Sequence, residues 1–275
     1  MRTLFLIVLV SFVYNSATAQ EVEKRATKAE KKEVRRAKRL AQLQETDSYF
    51  NIELLGTNRS VQDQATSNQI YNGFGGGIGL GSLRMRRDWM WEYRMTGGYN
   101  LIDSQAGRSS NDFWGDFSFA YLKQLTNSKL YLGPQANFLS QVRYTPSLGN
   151  SSLHWELVGS LGAVGRYQDQ WTLPLVNKAI QVYGQVHLPL IAYVSRPIYG
   201  VTVDGQMNQY VSSWNRLQRV DTEFGIFFPV MRRKDNPNLF RLGYQWDILR
   251  FRDNEQQRVL SAQHILTIGL FIKMI

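Results

Sequence analysis

From Ser48 to Ile275 the chain alternates apolar and polar residues with a period of two. No feature constrains its fold more, because a period of two places unlike side chains on opposite faces of a strand and cannot build an amphipathic helix. Trp89, Trp91, Tyr93, Met95, Gly97, Tyr99 and Leu101 fall on one face, and Met90, Glu92, Arg94, Thr96, Gly98 and Asn100 on the other. The pattern recurs at 153–167, where Leu153, Trp155, Leu157, Leu161 and Ala163 oppose His154, Glu156, Ser160 and Arg166. Further copies lie near 50–58, 72–84, 113–123, 129–143, 179–193, 219–230, 239–251 and 259–274, which makes ten candidate strands. Their expected length of about 10–15 residues suits a membrane-crossing strand better than the ~5–6 residues common in soluble sheets.

The two faces decide what kind of β protein this is. One is apolar and aromatic; the other carries Glu53, Glu92, Arg94, Asp116, Arg143, Glu156, Arg166, Asp221, Glu223, Arg241 and Asp247. Burying so many charges in a small soluble core is prohibitive unless all are paired. Turned toward the lumen of a barrel whose apolar face meets lipid, they are expected as a charge network. Links of unequal length point the same way. Short or moderate ones lie near 85–88, 124–128, 168–178 and 231–238, and mostly longer polar ones at 59–71, 102–111, 144–152 and 195–218. The last could hide a further hairpin. The fold expected is an all-β, antiparallel transmembrane β-barrel of about ten strands, within a range of eight to twelve. An even strand number puts both termini on one side, the periplasmic one. A helical membrane protein is excluded: mean hydropathy is −0.32, and no run approaches the ~18–20 apolar residues of a spanning helix.

Two shorter segments precede the barrel. Arg2, the apolar run Leu4 to Val13 and Ala17-Thr18-Ala19 read as a secretory signal peptide over 1–19, cut before Gln20. Residues 20–47 hold nine Lys or Arg and six Asp or Glu, with no Gly, Pro or aromatic, so local preference is for a helix. Its apolar stripe is thin: Val22, Ala26, Ala29, Ala37 and Leu40. Arg25, Lys28, Lys32, Arg35, Arg36 and Arg39 recur at helical spacing. They would form a basic docking arm toward an acidic surface or an envelope protein, or else a solvated spacer. With no Cys in the chain, a lipoprotein anchor is excluded.

These features together resemble the small outer-membrane β-barrels of Gram-negative bacteria, and cleavage just before Gln20 resembles exported proteins of the Bacteroidota. The resemblance covers 1–20 and 48–275 as patterning, with no family-specific motif. It implies an outer-membrane location and contact with membrane lipid and lipopolysaccharide. One departure is the ending: many such barrels finish on an aromatic residue, whereas Phe271 lies four positions before Ile275.

The remaining polar residues offer few sites. The run from Asn72 to Ser82 is rich in glycine, but Gly73, Gly75, Gly76, Gly77, Gly79 and Gly81 have no phosphate-binding spacing. In strand phase the odd-numbered glycines face the lumen, where absent Cβ atoms permit tight curvature or close packing of bulky side chains. Ser160, His187 and Glu156 share the lumenal phase; folding the chain about residue 173 would place His187 opposite position 159 and allow a Ser–His dyad oriented by the carboxylate. That arrangement would make a lipid hydrolase or acyltransferase, although no hydrolase signature surrounds it. His264 falls in the lipid-facing phase. No spacing suits a metal, no cofactor is implied, and nothing points to nucleic acid. The reading that follows is a non-enzymatic barrel, a structural or accessory subunit of an envelope complex. A narrow pore for small solutes is the alternative, and a lipid-modifying enzyme the second alternative.

Overall fold

In the computed structural model the described residues run from 46 to 274, apart from 65–66, 87, 127, 174–177, 198–206, 234–235 and 253–257. The expected signal peptide and nearly all of the basic arm, including Arg25, Lys28, Lys32, Arg35, Arg36 and Arg39, lie outside them.

Eleven strands follow in chain order: β1 (Asp47–Asp63), β2 (Ser67–Met85), β3 (Trp89–Ser104), β4 (Ser109–Gln124), β5 (Leu130–Tyr144), β6 (Leu153–Leu173), β7 (Lys178–Pro197), β8 (Met207–Ser213), β9 (Leu217–Arg233), β10 (Asn236–Arg252) and β11 (Arg258–Met274). Sequential strands pair antiparallel from β1 to β7, β7 pairs with β9, and β9 to β11 continue the meander. The ring closes where β1 meets β11, in register from Ser48↔Met274 to Asp63↔Val259. Ten strands therefore form a closed antiparallel barrel, whose shortest seam is β7–β9, paired from Gln181↔Phe227 to His187↔Asp221.

The eleventh, β8, comes from the segment suspected of hiding a hairpin. It pairs with Ile191–Pro197 of β7, beyond the level at which β9 takes over at His187↔Asp221. Most strands are longer than expected, at 15–21 residues. The reason lies in segments read as loops from their polarity: the β1–β2 ladder runs on to Asp63↔Ser67, and the β3–β4 ladder to Asp103↔Ser109. A ladder needs backbone partners rather than apolar side chains, so it can continue past the apolar belt into water. Much of the expected contrast in link length disappears with this, although 145–152, which includes a short 3-10 turn, and 198–206 stay long.

The outer face is apolar. Leu54, Phe74, Ile78, Met95, Leu161 and Leu266 are each more than half exposed. Such a surface wrapped around a closed ladder, with charges inside, is the outer-membrane type of barrel. The start of β1 and the end of β11 lie at one end of the barrel, as the Ser48↔Met274 pair requires.

Backbone coiling is tightest between β2 and β3. A Cβ at Gly75 would come 1.9 Å from the Tyr99 carbonyl oxygen, so only glycine fits there. On β3, Gly98 leaves room for the Trp114 indole, which would lie 2.9 Å from a Cβ at that position.

Candidate functional site

The alternation sends every second residue inward, and ten strands leave an interior that side chains can nearly fill. At the end where β1 begins and β11 finishes, Tyr49, Leu83, Tyr183, Phe227 and Phe271 pack into an apolar layer. Phe227 is stacked on Tyr183 at 5.2 Å and meets Phe271 edge-on at 5.1 Å. Met90, Ala120, Leu122 and Val164 extend this layer.

Beyond it lies a charged layer. Arg94 Nε donates to Glu53 Oε2 at 2.8 Å, and Arg94 Nη1 to Glu223 Oε2 at 3.2 Å. Arg241 lies 3.0 Å from Glu53 and 3.1 Å from Glu223. The Tyr183 hydroxyl donates to Glu223 at 2.6 Å, while Arg166 binds Glu92 at 3.1 Å and lies over the Tyr183 ring. One step further along the barrel, Arg219 bridges Asp116 at 3.0 Å and Asp247 at 2.9 Å, and also donates to Asn137. Asp221 accepts a hydrogen bond from Gln245 at 3.0 Å and has no ion pair among the described residues.

The far half of the lumen is divided. Leu139, Val158, Ala192, Val194, Leu217, Leu249, Phe251 and Val259 form an apolar cluster on one side. Across from it stands a second network: Arg59 binds Asp112 at 3.0 Å, Arg196 binds Asp63 at 2.8 Å, and His154 Nε2 lies 3.0 Å from the same carboxylate. Arg143 lies 3.8 Å from both Asp63 and Asp112. Glu156 is buried in this half without an ion pair among the described residues. A cavity of about 40 Å³ lies between Trp114, Gln135, Gln185, Asp221, Gln245 and Gln263.

Every charge read from the lumenal phase thus points inward. Arg59, Asp63, Asp112, Arg196 and Arg219 were missed. The first four sit in or beside stretches whose polarity reads as a link between strands. Arg219 had a usable signal, being in phase with Asp221 and Glu223.

The Ser160–His187 dyad does not form. The β6–β7 pairing sets Ser160 opposite Ala192 and His187 opposite Val164. The Leu173↔Lys178 register centres the β6–β7 ladder beyond residue 173, and a bulge at Leu161/Gly162 shifts the register once more. Ser160 Oγ and both ring nitrogens of His187 are buried without a hydrogen-bond partner among the described residues. His264 lies on the outer face as expected, where its Nδ1 meets the Tyr244 hydroxyl at 2.6 Å. Among the described residues no group of three acidic or histidine side chains is placed to hold a metal ion.

No known protein-family pattern matches the chain, and no curated protein matches it in sequence. Solved barrels do share its outline. The transport unit of the autotransporter AIDA-I from Escherichia coli is 11% identical, with 82% of this chain and 90% of that one covered at a TM-score of 0.41. The translocator domain of autotransporter NalP from Neisseria meningitidis is 9% identical, covering 82% and 88% at 0.39. A deltaS2 mutant of the monoaromatic hydrocarbon channel TodX is 10% identical, covering 84% and 90% at 0.30. Scores this low carry no argument about what the chain does; its assignment as an outer-membrane-type β-barrel rests on its own strands, register and faces.

Proposed function

We propose that this barrel does not conduct solutes but serves as a structural or accessory subunit of an envelope complex, with residues 20–47 as its periplasmic docking segment. The observation that supports this reading is the filled lumen. Apolar side chains close it at one end, ion pairs cross it at several levels, and the cavity between the charged side chains measures about 40 Å³. That volume has room for about two or three waters. Open aqueous channels belong to barrels of about 16–18 strands.

The start of β1 and the end of β11 share one end of the barrel. We place that end in the periplasm, where a basic arm can reach an anionic headgroup surface or an acidic partner. The test has two parts. Reconstituted in a planar bilayer, the protein should show no steady conductance; stable channels would overturn the reading in favour of the narrow pore. Purified in mild detergent, the full chain should retain a partner that is lost when 20–44 is deleted and weakened by raised salt, since exposed charges are screened over ~8 Å at physiological ionic strength. Retention of every partner by the shortened chain would reduce the arm to a spacer.

A further inference from the structure

We propose that the lumenal cavity is a binding site for one small monovalent cation, Na⁺ in the first instance, held by Asp221 with the side-chain oxygens of Gln135 and Gln185. The charge pattern around the cavity motivates it. Glu92, Glu223, Asp116 and Asp247 each have a guanidinium within 3.2 Å. Asp221 has none, and its partner across the β9–β10 ladder is another carboxylate, Asp247. An uncompensated carboxylate in a low-dielectric interior is costly and calls for a counter-charge.

Unpaired polar atoms supply the second, independent observation. Gln135 is 5% exposed, and its Oε1 has no hydrogen-bond partner among the described residues; neither has the Oε1 of Gln185. Both side chains line the cavity with Asp221. A proton on Asp221 would remove the charge but supply a single O–H donor, which can serve only one of these two acceptors. A hard cation bound through oxygens answers both at once. A divalent ion is disfavoured, because Asp221 is the one carboxylate here without a guanidinium and no three-ligand acidic cluster exists among the described residues. Trp114 Nε1 and Gln263 Nε2, which also line the cavity, are unpaired donors. A water completing the coordination of the ion would accept from them, and about 40 Å³ has room for both guests.

The apolar layers would slow exchange, so the ion is best supplied during folding. The full mature chain is refolded in detergent with NaCl or with the chloride of N-methylglucamine, a cation too large for the cavity, at matched ionic strength. Binding to the folded state alone should raise the unfolding midpoint with Na⁺ in a saturable manner, by about 2–4 °C. Radioactive sodium should remain with the desalted barrel at about one ion per chain. Asp221→Asn should abolish both effects while folding at least as well as the parent without Na⁺. Gln135→Leu should need several-fold more Na⁺ for the same shift. Equal midpoints in the two salts, or an unchanged sodium response in Asp221→Asn, would overturn the proposal. So would a midpoint that responds to pH near neutrality and not to Na⁺, which would assign the counter-charge to a proton.

Discussion

Arg94 and Glu53, 41 residues apart, are joined inside the barrel by a 2.8 Å hydrogen bond from Nε to Oε2, with the carboxylate fully buried. Glu53 also meets Arg241, and Arg94 also meets Glu223, so the pair is the middle of a chain of charges that ties β1 to β3, β9 and β10. Removing one member strands the others. Arg94→Met should cost about 3–5 kcal/mol, the range for breaking a buried pair, whereas joint replacement of Arg94 and Glu53 by apolar residues of similar volume should recover part of the loss. Urea unfolding in detergent or lipid reads both, and a fully additive double variant would show that the two groups are not coupled.

The closed ladder should show itself on a gel. The unboiled protein in SDS should migrate differently from the boiled one, because each of the ten ring strands is hydrogen-bonded to a neighbour on both sides and none can peel away alone. Identical mobility before and after boiling would contradict closure.

The lipid face predicts an asymmetry between neighbours along β6. Leu161 is 63% exposed, and Leu161→Arg should cost about 2–4 kcal/mol, as for an arginine near the midplane of such a barrel. Leu161→Phe should be close to neutral. Unfolding titrations in vesicles compare the two, and equal losses would mean that position 161 is not in contact with lipid.

Glycines divide into those the backbone requires and those it does not. At Gly75 the nearest atom to an added Cβ is a carbonyl oxygen at 1.9 Å, while at Gly115 nothing lies closer than 3.9 Å. Gly75→Ala should therefore destabilise by about 1–3 kcal/mol through overpacking, and Gly115→Ala by no more than about 0.5 kcal/mol, as at an unconstrained surface site. A mild effect at Gly75 would show that β2 and β3 can separate without penalty.

Strand phase could be read from sequence because lipid and lumen impose opposite chemistry on successive residues; Met95 and Arg94 are sorted by that rule alone. Strand ends could not. Past the apolar belt the outward residues are polar as well, so buried Arg59 and Asp63 in β1, or buried Ser104 beside exposed Asp103 in β3, carry no contrast in polarity to mark them as paired. Cross-strand neighbours were harder still. A displacement of the β6–β7 turn by a few residues, followed by one bulge, moved His187 away from Ser160, and side-chain polarity does not encode either event. The Arg219 hub needed nothing more than the phase of Asp221 and Glu223.

The pairing of β1 with β11 has a consequence for how such a protein is made. The first strand to leave the ribosome finds its last partner in the final strand, so a nascent chain has no finished wall until Met274 has been added. A chain stopped before Arg258 would present raw edges on both β1 and β10, open to pairing with any other unfinished chain. Completion is thus checked by geometry: a fragment cannot pass for a smaller version of the whole.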